Sequence, residues 1–596
     1  MKKIRISPRL CRSVAAACTA AALFGGATAF APPAAYAAGY RLEQPSNITV
    51  LPIDQAKFLA GQRFDFLIEV KDAQPEAVEV LVNGEDAAKF FGKAAVRSSH
   101  DGIAAYRIDQ VALDRGPVEI SVRAPGQART VQYQVMEQKA ARKAKNVILM
   151  IGDGMSLQAR EMARVLSKGM KEGRYNDLLE MEKMPNMALI TTSGYDSIVT
   201  DSANSASAYA TGQKGTVNAM GVYSDSTKDP LDDPKVENIV ELAKRTRRMA
   251  TGIVSTANIT DATPAAMVAH TRRRAEQNFI AKTMLDPVHR PDVILGGGSR
   301  HFLPMATPGS KRKDAENLID AFRQQGYALS TNQQELDALP PKADKLLGLY
   351  QLNNMDVYID RAVLKNPQVL HGFTNQPGLV DMTQKAIGAL SQNPKGFFLM
   401  VEGACIDKQL HTLDWQRATY DTIEFDQAVA AAKRFAAQHD DTLIVVVADH
   451  AHGASITGTY TEKDGRTGRE GVRTYAAAGF PTFEDRDGDG YPDDPNPEVT
   501  LAVQFANHPD ANIDYHFRPT PTVPAIMADG KAIANPAAGG VFSEGNIPAD
   551  EDSEVHSADD IILNAMGPGS EYFHGVMDNT EVFFGMARAL GLDGKK

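Results

Sequence analysis

The 596-residue chain has three cysteines, and beyond its N-terminal segment no stretch approaches 18 consecutive apolar residues. Three cysteines cannot build a disulfide framework, and runs this short leave no membrane-spanning helix. Positive charge is in deficit, 63 Lys+Arg against 74 Asp+Glu for a net of −11. That excludes a general nucleic-acid coat or a polybasic membrane binder. With 43% hydrophobic and 23% charged residues, a collagen-like or largely disordered chain is excluded as well. What the chain has is length. At ~100–200 residues per domain it holds two or more domains, or one large domain with insertions.

Residues 1–37 stand apart. Lys2, Lys3, Arg5, Arg9 and Arg12 form a basic start, Ser13 to Phe30 is small and apolar, and Ala35-Tyr36-Ala37 is an A-x-A cleavage site. This is the pattern of a secretory signal peptide. As a membrane anchor the stretch is only weakly hydrophobic, and Pro32-Pro33 follows it. No Leu stands three residues before Cys18, which argues against a lipoprotein site. Cleavage removes five basic residues and no acids, leaving 58 against 74 and a net of −16. It also leaves Cys405 as the one cysteine, hence no internal disulfide. The expected location is periplasmic or secreted.

Residues 40–136 read as β structure. Phe64 to Val70, Val78 to Val82, Val118 to Val122 and Val131 to Val135 are short runs punctuated by Asn83-Gly84 and Pro125-Gly126. That rhythm predicts a small immunoglobulin-like β-sandwich, with no residue of evident catalytic use and an unknown partner. After a charged linker at 139–145 the pattern changes. Val147–Ile151, Phe397–Val401 and Leu443–Val447 are continuous apolar runs, with helical segments such as 426–438 between them. Such strands are buried on both faces in a mostly parallel sheet flanked by helices, so the rest is α/β.

Ligands in open α/β sheets bind at the carboxyl ends of strands, and each run ends in metal-type side chains. The first stops at Gly152-Asp153-Gly154, the second at Glu402-Gly403, the third at Asp449-His450, with His452 two residues on. Asp153 alone reads as a turn residue. Asp407 and His411, however, are spaced i,i+4 and share one helical face. Three carboxylate or imidazole sets at strand ends suit zinc or another divalent ion. Thr200-Asp201-Ser202-Ala203 opens a helix of small residues ending near Gly212. There Ser202 is either an N-cap or a residue placed at an anion-binding helix terminus. With no G-x-S-x-G elbow in the chain, a serine nucleophile needs a metal in place of a histidine base.

These segments resemble the alkaline phosphatases. The matching pieces are Asn146 to Met155, Thr200-Asp201-Ser202-Ala203, Asp261-Ala262-Thr263-Pro264-Ala265-Ala266, Glu402 to His411 and Ala448-Asp449-His450-Ala451-His452, in that order over about residues 145–596. The resemblance implies a phosphate monoester hydrolase with two zinc ions and one magnesium per chain. Ser202 would attack in line to give a phosphoserine, and a zinc-bound hydroxide would then hydrolyse it to release inorganic phosphate. It further implies Asp407, His411 and His556 as ligands of one zinc and Asp153, Asp449 and His450 as ligands of the other. Asp153, Thr263 and Glu402 would hold magnesium. Arg274 matches the phosphate-clamping arginine, chosen from Arg272-Arg273-Arg274 by its ungapped distance from Asp261 to Pro264 and from His270. Asp261 and Lys408 resemble the bacterial form of the site and would hold water near phosphate; His452 and His270 would support the site from behind. Cys405 reads as a small buried filler. Homodimerisation, known in many relatives, is left open.

One motif lies outside that scheme. Asp485-Arg486-Asp487-Gly488-Asp489-Gly490-Tyr491-Pro492-Asp493 follows the start of a calcium loop, with oxygens from Asp485, Asp487, Asp489, the Tyr491 carbonyl and Asp493. Asn496 stands where the twelfth-position Glu belongs, and three prolines argue against a following helix. The stretch 453–550 reads as an insertion over the site rim. Two competing readings are weaker. A phosphodiesterase or sulfatase would carry Thr or a modified Cys at 202 and lack the Glu402 and Thr263 set, and an inert binding module would not keep every ligand.

Overall fold

The computed structural model describes residues 46–137, 141–340, 343–506, 525–533 and 553–595, together with 517, 519, 535 and 536. The leader expected at 1–37 and much of the stretch 507–552 lie outside the described residues.

Residues 48–136 form two sheets, one of four and one of five strands. Their facing residues, among them Phe58, Phe64, Phe66, Ile68, Val80, Ile120 and Val131, are buried together. Alternation produces this: in Gly116–Ala124 and Gln127–Met136, paired across the Pro125-Gly126 turn, inward Val118, Ile120, Val122, Val131 and Tyr133 alternate with polar outward residues. The module is not a detached spacer. Tyr223 and Val236 from the following segment complete its core. Gln62, fully buried, donates its side-chain amide to the carbonyls of Thr211 (2.9 Å) and Glu237 (3.0 Å). Thr211 ends the helix that Ser202 begins, so the module braces that helix from its far end.

The remainder is built on a ten-stranded sheet. Across it run Ala328–Ser330, Leu346–Leu349, Val293–Gly297, Ala250–Asn258, Phe397–Gly403, Asn146–Gly152, Thr442–Ala448, Ile561–Met566, Asn186–Thr191 and Gly575–Asp578. Only Ile561–Met566 runs against its neighbours. The three central strands, Phe397–Gly403, Asn146–Gly152 and Thr442–Ala448, are buried at every position. Their continuous apolar sequence follows from cover by two helix layers, one of Leu157–Lys168, Leu379–Leu390 and Trp415–Ala436 packed side by side and one of Ser202–Thr211, Ala262–Ala266 and Asn579–Leu590. The register aligns Gly152 with Gly403 and with Ala448, so three chain segments leave the sheet side by side at one rim. Among the described residues no helix is long and apolar enough to cross a membrane.

Candidate active site

The rim gathers side chains from four strand ends and one helix start. After Asn146–Gly152 the chain turns at Asp153-Gly154. Gly154 has φ +61°, and a Cβ there would lie 2.6 Å from the His452 ring. The glycine is required both by the turn and by the packing. Glu402 lies in Phe397–Gly403, and the helix Cys405–His411 that follows carries Asp407 and His411 on one face. Asp449 and His450 follow Thr442–Ala448 directly. Beyond Ala250–Asn258, Asp261 caps the short helix Ala262–Ala266 that contains Thr263.

Ser202 is the first residue of the helix Ser202–Thr211, and the N-cap is Asp201, whose side chain completes a capping box with Asn204. The alternative of Ser202 as the cap is thereby corrected. An acceptor on Asp201 serves the amide at Asn204, which leaves the Ser202 hydroxyl free to face the rim. Its Oγ lies 3.1 Å from His450 Nε2 and 3.3 Å from Asp153 Oδ1.

The ligand atoms of Asp153, Asp449 and His450 all lie within 4.8 Å of one another, as do those of Asp407, His450, His452 and His556. His411 joins the second group, its Nε2 3.3 Å from His556 Nε2 and 3.4 Å from Asp407 Oδ1. Both rings are oriented from behind. His411 Nδ1 faces the Glu554 carbonyl at 2.6 Å and His556 Nδ1 the Thr200 carbonyl at 2.8 Å. A carbonyl only accepts, so each Nδ1 carries the proton and each Nε2 offers a lone pair to the rim. His452 presses its Nε2 against Asp407 Oδ1 at 2.6 Å. Burial drives its pKa down to about 3 despite Asp407, so it is neutral and donates to that carboxylate.

The donor set fits divalent cations on two observations. Asp153, Glu402, Asp407 and Asp449 are each at most 1% exposed, and Lys408 is the cation among them, 3.1 Å from Asp407 and 3.6 Å from Asp153. Burial and the charge of Asp153 push Glu402 and Asp449 well above the usual carboxylate range. Burial acts the same way on Asp407, but His411, Lys408 and a hydrogen bond from His452 outweigh it and hold it well below. Such a buried carboxylate cluster is costly without cations. Second, Thr263 Oγ1 and Asp449 Oδ2 are buried with no hydrogen-bond partner among the described residues, which is costly for isolated polar atoms. Imidazole with carboxylate suits zinc; the all-oxygen set of Thr263, Glu402 and Asp153 suits magnesium. The helix of Thr263 packs against the Phe397–Gly403 strand and the Ser202 helix.

The structure separates three arginines that adjacent positions left ambiguous. Arg272 turns away to the Asp225 and Thr227 carbonyls, and Arg273 is exposed beside Glu276. Arg274 alone points to the rim, Nη1 3.2 Å from Asp201 and Nη2 2.9 Å from Asp261. Burial works against its charge, but Asp261 and Asp201 prevail and raise its pKa. Lys408 Nζ is 3.5 Å from Asp261, tying the two residues into one chain of charges. Cys405 is buried, its thiol near the Thr256 and Met355 carbonyls, and burial raises its pKa.

Several contributors were missed. Asp201 was legible as part of its motif but not as the holder of Arg274. Ser255, which donates to Glu402, and the Glu554 and Thr200 carbonyls carry no sequence signal at all. His270 belongs elsewhere, with Glu241 and His289. In the acidic loop the carboxylates of Asp485, Asp487 and Asp493 come together. Asp489 is not in that group; like the other three it accepts a backbone amide of the loop, from Tyr491 at 2.8 Å, and the Tyr491 ring stacks on Tyr358 with centroids 4.0 Å apart. Asn496 is engaged with Phe517, and the next element is the strand Thr500–Phe505, not a helix.

Comparison with known proteins extends this picture. The family model described as alkaline phosphatase matches residues 144–592. The chain is 32% identical over 509 residues to alkaline phosphatase H of Pseudomonas aeruginosa (strain UCBPP-PA14), covering 78% of this chain and 90% of that one. To the alkaline phosphatase of Escherichia coli (strain K12) it is 31% identical over 522 residues, covering 80% and 94%. The crystal structure of Thermus thermophilus alkaline phosphatase shares the fold at TM-score 0.53 and 24% identity, over 76% of this chain and 92% of that one.

Proposed function

The chain belongs to the alkaline phosphatase family and is an enzyme of that family; on that footing we propose that it hydrolyses phosphate monoesters through a phosphorylated Ser202. The observation that carries the proposal is the position of Ser202 Oγ at a helix N-terminus, 3.1 Å from His450 and 3.3 Å from Asp153, with Arg274 held nearby by Asp201 and Asp261.

Asp153, Asp449 and His450 would hold one zinc, Asp407, His411 and His556 a second, and Asp153, Thr263 and Glu402 a magnesium. When bound, these ions neutralise the carboxylates, favour the ionised serine and stabilise charge on the transferring phosphoryl group. The chain's own groups do the rest. The planar guanidinium of Arg274 matches two oxygens of a phosphate, and its carboxylate anchors fix its direction before substrate arrives. The Ser202 oxygen bonds to phosphorus as the ester bond to the leaving alcohol breaks, and the alcohol takes a proton from solvent. Water then cleaves the phosphoserine, returning Ser202 and inorganic phosphate. Asp261 and Lys408, 3.5 Å apart, are placed to hold water beside the phosphate. The signal-like leader supports export to the periplasm or beyond. The 453–550 insertion starts beside the rim, where Ala506 donates to Gly453, and just after it Glu554 donates to His411, which suits a limit on substrate size. The Asp485–Asp493 loop is read as a structural calcium site, and unchanged thermal stability on adding calcium to calcium-free protein would remove that reading.

The test compares wild type and Ser202→Ala on an aryl phosphate monoester and the matching diester, with metal content measured on the same samples. The proposal expects monoester hydrolysis by wild type, its loss in the variant at unchanged metal content, and its loss with chelator. Full activity in Ser202→Ala would overturn it.

A further inference from the structure

A second cluster of metal-type ligands lies away from the active site, where the β module meets the sheet domain. Glu241 belongs to the helix Ile239–Arg247, His270 precedes the arginine segment, and His289 follows the helix Gln277–Thr283. Glu241 Oε1 lies 3.1 Å from His270 Nε2 and 2.8 Å from His289 Nδ1. All three ligand atoms fall within 4.8 Å of one another. Ligands ~2.0–2.1 Å from a tetrahedral zinc are roughly 3.3 Å apart, so a small outward shift of these atoms suffices to seat a zinc ion among them.

The surroundings fix each ligand in a binding orientation. His270 Nδ1 lies 2.8 Å from the Gly221 carbonyl. The carbonyl only accepts, so Nδ1 holds the proton. Burial lowers the ring's pKa, but Glu241 and the Gly221 carbonyl outweigh it and raise it; without a second proton, Nε2 turns a lone pair toward the Glu241 carboxylate. Two acceptors facing each other call for a cation or an extra proton between them. Gly221 has φ +62°, and a Cβ there would lie 2.5 Å from His270 Nδ1, so glycine is needed for this approach. The second oxygen of Glu241 is taken by the Asn238 amide at 2.8 Å. The triad borders a cavity of about 170 Å³ also lined by Arg63, Lys235, Glu237 and Arg245. Arg245 is neutralised by Glu237 at 2.6 and 2.8 Å. Two imidazoles and one carboxylate suit zinc better than calcium or magnesium.

We propose that Glu241, His270 and His289 bind a further zinc ion, separate from the active-site ions, which ties the Ile239–Arg247 helix to the segment leading from His270 to Arg274. The position four residues before Arg274 gives the site a direct covalent path to the phosphate-binding arginine.

The test is zinc stoichiometry of the full chain, saturated with zinc, freed of loose metal and measured by elemental analysis. His289→Gln is the primary variant, since His289 sits at the edge of the cluster with 18% of its side chain exposed; Glu241→Gln is the second. The expected result is one zinc fewer per chain in each variant than in wild type, with the active-site zinc retained. Equal zinc content and superimposable zinc titrations in wild type and both variants would overturn the proposal and leave the cluster a protonated histidine bound to Glu241. Because the readout is a metal count, it is independent of whether Ser202 is the nucleophile.

Discussion

Asp201 does two jobs that one substitution can separate. Its Oδ1 caps the Ser202 helix by accepting from Asn204 (3.3 Å) and accepts also from Asn218 (3.1 Å), while its Oδ2 holds Arg274 at 3.2 Å. Asn caps helices about as well as Asp, so Asp201→Asn keeps the first job. It loses the second, because an amide N–H would then face the guanidinium. Arg274 retains Asp261 at 2.9 Å. The Asp201–Arg274 pair is partly buried, with side chains 15% and 25% exposed. Its loss falls between the ~0–1 kcal/mol of exposed pairs and the several kcal/mol of buried ones. Taking about 1 kcal/mol, inorganic phosphate binds roughly five-fold more weakly. The assay is competitive inhibition by phosphate during monoester hydrolysis, beside a thermal melt. Asp201→Asn is expected to raise the inhibition constant about five-fold at unchanged Tm. Asp201→Ala should do the same and also lower Tm by about 1 °C through the lost cap. Wild-type phosphate inhibition in a well-folded Asp201→Asn would refute the idea that this carboxylate positions Arg274.

Chelation should lower Tm as well as abolish activity, since ions at a thousandfold saturation stabilise by roughly 4 kcal/mol each; an unchanged melt would contradict the cation reading of the buried carboxylates. Gly154→Ala places a Cβ 2.6 Å from the His452 ring at φ +61°, so steady-state assays should show at least a ~10-fold loss of kcat/KM from displacement of His452 and Asp407. Burial pushes Asp426 up to about 6, although the Glu180 and Met181 amides pull the other way. A raised carboxyl pKa stabilises the fold below the unfolded value and loses that contribution as pH rises through the folded one. The stability of wild type relative to Asp426→Asn should therefore fall by about 2 kcal/mol between pH 4 and pH 7, measured by urea unfolding; a constant difference would contradict it. Cys405, 2% exposed with its thiol pKa raised by burial, should resist thiol reagents in the native protein and react fully in denaturant.

Much of the site is legible in the sequence. Val147–Ile151, Phe397–Val401 and Leu443–Val447 have no polar alternation, and only strands covered on both faces tolerate that, so the parallel core followed. Because ligands gather at strand carboxyl ends, Asp153, Glu402, Asp449 and His450 could be assigned to one rim, and the i,i+4 spacing put Asp407 with His411. Arg274 was harder. Three consecutive arginines differ only in which way the backbone presents them, and that direction is decided by Asp225, Glu276, Asp201 and Asp261, up to 73 residues away in sequence. In the acidic loop the spacing suggests five oxygen donors, and the loop's own turns bring the carboxylates of Asp485, Asp487 and Asp493 together.

Local sequence thus determined what depends on local physics: strand character, helix starts, turn glycines and the types of ligand at each strand end. Tertiary structure alone decided what depends on distant partners. It made Asp201 an anchor for Arg274, chose the carbonyls that fix the tautomers of His411 and His556, and turned the β module into a brace through Gln62. It also brought Glu241, His270 and His289 within 4.8 Å of one another. Each rests on contacts between residues far apart in the chain, and no periodicity or spacing encodes the direction in which two such segments meet.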